Sequence, residues 1–324
     1  MDVDPRLLWV EDDVDVTSPE NEKSGKGSSI AAVGDRNALY TLNTTALKQV
    51  KYVTINPQLQ KRRVRIAILD NGLAKAHQRL WDKVVAFANF VPDGLTAYDA
   101  PNGTDSNANG NFDEAVGHGT MVTGIVDQMA PTADLIIARV ADSDGLSSTW
   151  TLLKGMAFAV MHGAEVCNIS LGSIDSIAGI SDVLDWCETY GMVVVAPIGN
   201  DSKNMSRFPA KYSKVICVAG LQPKDIKAPF SNWNKKASLS APATGILSTW
   251  WDGTLGVWSG TSFASPMVAG AIVDSLTRSL KKSPKVIRDA MKVSGDDIDI
   301  KNLLYQKMIG LRLNFVKLNK AIGN

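Results

Sequence analysis

Five short apolar runs recur along the chain, almost uninterrupted by polar residues. They are VRIAILD (64–70), DLIIARV (134–140), EVCNISL (165–171), MVVVAP (192–197) and KVICVAG (214–220). A strand covered on both faces needs apolar side chains on both, so runs without alternation mark a buried parallel sheet. Helical stretches lie between them. TWTLLKGMAFAVMHG (149–163) sets Leu152, Leu153, Met156 and Val160 on one face and stops at Gly163, and DVLDWCETYG (182–191) stops at Gly191. Strands alternating with helices build βαβ units, which predicts an α/β fold with a mostly parallel central sheet.

Of 324 residues, 45% are hydrophobic and 21% charged, enough apolar material for one large core. The net charge of +1 provides no field to recruit nucleic acid or an anionic membrane, and nothing requires more than a monomer. Three cysteines with no tight spacing argue against a disulfide framework or a cysteine-based metal site; Cys167 and Cys217 read as buried strand thiols. The acidic start, MDVDPRLLWVEDDVDV, is not a signal peptide, and no apolar run reaches the length of about 18 residues expected of a membrane span. An intracellular protein is the expectation, although a secreted chain whose leader had been removed would read the same way. Residues 1–60 differ from the rest. SPENEKSGKGSS (18–29) is polar and Gly/Ser-rich, so 1–60 reads as an N-terminal extension, partial prosegment or linker, and 61–324 as the main domain. Within the extension, ALKQVKYVTI (46–55) is expected to pack on that domain.

In open parallel sheets, sites form at the carboxyl ends of the strands. Asp70 closes the first run, Ser170 to Gly172 close the third, and Gly199-Asn200 follow the fourth. A general base at neutral pH is usually histidine. Of His77, His118 and His162, only His118 sits between glycines at the head of an apolar helical stretch, in VGHGTMVTGIV. The nucleophile candidate is Ser262 in WSGTSFASPMVAGAIV, where a Gly-Thr-Ser turn enters an alanine-rich helix. A serine there has its own N–H unpaired within the helix and able to face an oxyanion. The G-x-S-x-G elbow is absent because position 264 is alanine.

The order Asp, His, Ser and the motifs ILDNG (68–72), GHGT (117–120) and GTSFASP (260–266) resemble the subtilisin-like serine proteases. NISLG (168–172), PIGN (197–200), FPAKY (208–212), FSNW (230–233) and LSAPATGILST (239–249) resemble further segments of that family, in order. The resemblance implies a three-layer sandwich and an endopeptidase acting on extended protein or peptide substrates without a cofactor for its chemistry. It assigns Ser262 as nucleophile, His118 as base, Asp70 as its orienting partner and Asn200 as an oxyanion donor. Ser170, Leu171 and Gly172 would pair with substrate, Asp144, Gly145 and Leu146 would form the opposite wall, and Pro197 and Arg207 would border the main specificity pocket. Asn71 stands where Ser or Thr is usual, and Pro197 and Ile198 stand where alanines are usual.

Two further expectations concern loops. Asp105, Asn107 and Asn109 follow the start of a calcium loop, with Asp113 or Glu114 able to add oxygens, but Val116 stands where a bidentate Glu would. A structural calcium and a plain polar loop are both open readings. Lys203 and Arg207 could favour an acidic residue before the cut, and Asp142 and Asp144 could favour bases upstream of it. A binding-only pseudoprotease and an acyl-transferring macrocyclase on the same scaffold are the competing functions. The first is at odds with the complete residue set, and the second with the lack of a long inserted lid.

Overall fold

The computed structural model describes residues 15–17, 28–30, 43–53, 56–93, 95–176 and 178–323. Its central sheet contains β1 (Arg65–Asp70), β2 (Val84–Asn89), β3 (Asp134–Arg139), β4 (Val166–Ile169), β5 (Val193–Pro197), β6 (Val215–Gln222), β7 (Leu239–Pro242) and β8 (Leu311–Arg312). These run in the order β8-β7-β6-β5-β4-β1-β3-β2, and each neighbouring pair is parallel. The short strand Ile226–Lys227 turns back antiparallel on β6. All five apolar runs of the sequence are strands of this sheet.

Alternate side chains of each strand enter two different cores, as a pleated strand requires. Ile66, Ile68, Ile137, Val193 and Val218 face α1 (Thr44–Gln49), α2 (His118–Met129), α5 (Thr261–Thr277) and α6 (Phe315–Ile322). Ala67, Leu69, Ile136, Cys167, Val194 and Cys217 face α3 (Thr149–Met161) and α4 (Ala178–Tyr190). The result is the expected three-layer α/β sandwich. Ala46, Leu47 and Val50 of the extension lie within the first core. The three cysteines are reduced and buried, and burial pushes the Cys187 and Cys217 thiols up to about 12.

All of α5 is buried, from Thr261 to Thr277, and it packs closely on α2. The closeness follows from a missing side chain: a Cβ at Gly270 would meet the Met129 Cβ at 2.6 Å. The two helices therefore bring their N-terminal ends, and with them His118 and Ser262, to the carboxyl edge of the sheet. Among the described residues no helix is long and apolar enough to cross a membrane.

Candidate active site

Asp70 is the last residue of β1, and its carboxylate Oδ1 accepts from the His118 ring Nδ1 at 2.7 Å and from the Asn71 N–H at 2.9 Å. His118 opens α2 directly after Gly117, whose φ of 93° lies in the left-handed region that glycine tolerates. A Cβ at Gly119 would strike the Asn71 side chain at 2.7 Å and the Asp70 Cβ at 3.1 Å. The two glycines of GHGT thus let the helix start approach the end of β1 closely enough for the Asp70–His118 bond.

The His118 ring packs 5.3 Å from Phe263 and edge-on to Trp258 at 5.7 Å. Ser262, the residue before Phe263, lies in the first turn of α5, and its hydroxyl donates to the Ser170 carbonyl oxygen at 3.2 Å. The Ser170 hydroxyl in turn donates to the Ser262 carbonyl at 3.0 Å, which locks the serine segment to the end of β4. Asn200 is held by Thr261: its Oδ1 accepts from the Thr261 N–H at 3.0 Å and from the Thr261 hydroxyl at 2.8 Å. With the amide oxygen so engaged, the Asn200 NH₂ is the end turned away from Thr261. Asp70, His118, Asn200 and Ser262 are all buried.

The residues assigned to substrate divide into those that pair and those that support. Gly172 forms both bonds of an antiparallel bridge with Thr17, donating to the Thr17 carbonyl at 2.9 Å and accepting from its N–H at 3.2 Å. On the other side, strand Asp15–Thr17 pairs antiparallel with Leu146–Ser148. Gly172 and Leu146 therefore line a slot one strand wide, and the chain's own Asp15–Thr17 lies in it. Val16 is buried there with Leu171, Ala141 and Leu152. Ser147 and Ser148, which also pair in this slot, were not singled out from the sequence. Beyond Asp15 the slot continues into a cavity of about 520 Å³ lined by Phe90, Asp142, Trp150 and Lys154 among others.

The Asp144 carboxylate is engaged within the neighbouring loop, whereas Asp142 borders the cavity beyond the slot. Asp144 accepts from the N–H groups of Asn107 and Glu114, each at 3.2 Å, and Asp142 accepts from the N–H groups of Asp144 and Leu146. Gly145 makes the turn between them with a φ of 82°. Of the two carboxylates expected to attract upstream bases, Asp144 is buried and only Asp142 borders the cavity. Pro197 ends β5 inside the sheet. Arg207 is buried and ion-paired to Asp201, with Nη2 at 2.6 Å and Nε at 2.9 Å. Its charge is matched within the protein, so of the two bases expected to favour an acidic residue only the exposed Lys203 stands, among the described residues, outside an ion pair of this kind. Instead, the Arg207 side chain fills the space beneath Gly172 and Gly199: a Cβ on either glycine would lie 3.1–3.4 Å from Arg207 carbons.

Of the four residues of the expected calcium loop, Asp105, Asn107 and Asn109 gather with Glu114, and Asp113 does not join them. Asp105 accepts from the N–H groups of Asn109 and Gly110, whereas Asp113 turns the other way to Asn102 and Gly103. The Asn107 side chain donates to Glu114 and its Oδ1 accepts from Asn109 N–H, while the Asn109 Oδ1 accepts from Asn111 N–H. Among the described residues no cluster of three His, Cys, Asp or Glu could hold a metal. The loop is closed by its own amides, with Asp113 turned out of it. Adding chelator is expected to leave the melting temperature where it is; a melt that rises with calcium would contradict this arrangement.

Asp99 is a residue that sequence reasoning missed. Fully buried beside α2, its carboxylate accepts from the Gly117 N–H (2.9 Å), the Thr120 N–H (3.1 Å), the Thr120 hydroxyl (2.5 Å) and the Asn71 side-chain amide (3.2 Å). Nothing in the polar stretch YDAPNG marks it, because its partners, two backbone amides and two side chains, lie about twenty to thirty positions away.

A buried carboxylate–imidazole pair beside a serine at a helix start, with an amide held next to it, is the equipment of a serine hydrolase. The family model for the subtilase family matches residues 61–306. Thermitase of Thermoactinomyces vulgaris is 35% identical over 245 residues, covering 72% of this chain and 81% of that protein. Subtilisin DY of Bacillus licheniformis is 31% identical over 248 residues, covering 72% and 84%. Among solved structures, a lanthipeptide protease superposes with a TM-score of 0.72 at 21% identity, covering 92% of this chain and 98% of that one. A cold-adapted subtilisin-like serine proteinase superposes with a TM-score of 0.64 at 23% identity, covering 78% and 88%. The chain belongs to the subtilase family and is a subtilisin-like serine protease.

Proposed function

We propose that the protein cleaves peptide bonds within extended segments of protein substrates through Asp70, His118 and Ser262. The observation that carries this reading is the placement of the slot. An extended strand bonds to Gly172 two residues from Ser170, whose carbonyl lies within hydrogen-bond distance of the Ser262 hydroxyl. A substrate added as a strand in the same way would bring its next peptide carbonyls toward Ser262.

In the proposed reaction the Ser262 Oγ attacks the scissile carbonyl carbon while its proton passes to the His118 Nε2. Asp70 accepts from Nδ1–H, which fixes the tautomer and stabilises the imidazolium. The tetrahedral oxyanion takes hydrogen bonds from the Ser262 N–H and the Asn200 NH₂. His118 then gives the proton to the leaving amine, and water releases the acyl group by the same steps in reverse.

Residues 1–60 act in this reading as a regulatory extension. Strand Asp15–Thr17 takes the place of a substrate, and His118 and Ser262 are fully buried in this state. Burial of one valine side chain is worth about 1.5–3 kcal/mol. Val16→Asp should therefore loosen the strand and raise the rate of hydrolysis of an unfolded protein substrate by about tenfold or more. Proteolysis lost in a Ser262→Ala companion would assign the cleavage to this site. An unchanged rate in Val16→Asp would remove the inhibitory role, and absence of cleavage in both Val16→Asp and the native chain would remove the peptidase reading itself.

A further inference from the structure

Asp70 and His118 come from different elements, the end of a strand and the start of a helix, and their 2.7 Å bond requires the two to be held in register. Two side chains between them do this. Asn71 donates its backbone N–H to Asp70 and accepts the Gly119 N–H on its side-chain oxygen at 2.8 Å. Its side-chain nitrogen donates to Asp99 and to the Ala115 carbonyl. Asp99 accepts that amide together with the Gly117 and Thr120 N–H groups of α2. The Thr120 hydroxyl, which donates to Asp99, also accepts from the Ala74 N–H at 2.9 Å. One buried carboxylate thus holds the first turn of the helix, the residue after the catalytic aspartate and, through Thr120, the following loop. The first-turn amides bonded here are those that an α-helix leaves without internal partners.

We propose that Asp99 is a positioning residue for catalysis, clamping α2 to the end of β1 so that His118 meets Asp70, and lending its negative charge to the imidazolium. It rests on the protease reading given above.

The electrostatic half follows from what surrounds His118. A helix N-terminus carries partial positive charge and disfavours a cation. Asp99, bonded to those same amides, opposes that effect. The titratable groups beside Asp99 are Asp70 from β1 and His118, which follows the Gly117 amide that Asp99 holds. Burial, the larger cause, and the Asp70 charge push the Asp99 carboxyl up to about 6. Above that pH the group is a carboxylate. Removing its charge makes the imidazolium less stable, so the His118 pKa falls and the acid limb of activity moves to lower pH.

The test is the rate of labelling by a fluorophosphonate as a function of pH, for the full chain carrying Val16→Asp and for the same form with Asp99→Asn, which keeps the shape and loses the charge. The expected result is slower labelling on the plateau, by about 10-fold or more, with the acid-limb midpoint lowered by about half a pH unit or more. A rate and midpoint matching those of the Val16→Asp form alone would overturn the proposal. So would a slower rate with an unmoved midpoint and a lower melting temperature, because Asp99 would then be a helix cap and nothing more. If Asp99→Asn does not fold, Asn71→Ala carries the test. It cuts the link between the Asp99 clamp and β1 but leaves the charge, so labelling should slow with the midpoint in place, and an unchanged rate would overturn the clamp. A Val16→Asp form that takes no label at any pH would count against the protease reading instead.

Discussion

Replacing His118 with alanine is expected to lower kcat by about 10⁶-fold, with KM nearly unchanged. The size is that of the equivalent loss in subtilisin, where removing the base costs about as much as removing the whole triad. Its cause is that the serine hydroxyl is a weak nucleophile unless a base takes its proton during attack. Asp70 holds the His118 Nδ1 at 2.7 Å, so the other ring nitrogen is the one that can accept. The double variant His118→Ala/Ser262→Ala should be little worse than either single variant, because the residues act as one unit. The measurement is turnover of a peptide substrate by the Val16→Asp form carrying each change. Losses that multiply would show that the two side chains do not work together.

The second large effect is expected at Asn200. Asn200→Ala should reduce kcat by about 10²–10³-fold while KM moves little, the value found for an oxyanion donor in subtilisin. The Asn200 oxygen accepts two bonds from Thr261, on the residue next to the nucleophile, so the amide is oriented before substrate arrives. A donor that meets charge developing only in the transition state affects kcat and leaves substrate binding alone. Asn200→Asp keeps the anchored oxygen but replaces the donor with an acceptor, and should be at least as impaired. Equal activity of Asn200→Ala and the native residue would place the oxyanion elsewhere.

The fold and the candidate triad stand out in the sequence for the same reason: both depend on local pattern. Buried parallel strands write themselves as unbroken apolar runs, and all five runs lie in the central sheet. β2 escaped notice because it is the edge strand, half-exposed along Val84–Asn89 and lacking such a run. Asp70, His118 and Ser262 stood out because glycines, small residues and their order surround them with restrictions that a structural role alone would not impose.

What the sequence hid were relations between distant residues. Arg207 read as a lone base, whereas its charge is matched by Asp201 six positions earlier, in a fold that buries both. The calcium pattern had suitable residue types, but their oxygens are turned onto amides of the same loop. Asp15–Thr17 is a strand only because Leu146–Ser148 and Gly172 supply its partners from more than a hundred residues away. Asp99 is legible only once the N-terminus of α2 has been brought against it.

The most direct test of the account is labelling of the protein by a fluorophosphonate probe, comparing the Val16→Asp form with the same form carrying Ser262→Ala. The account predicts one label per chain, on Ser262, which disappears in the alanine variant. Label that persists without Ser262, or none on the folded Val16→Asp form, would contradict an activated serine at the start of α5.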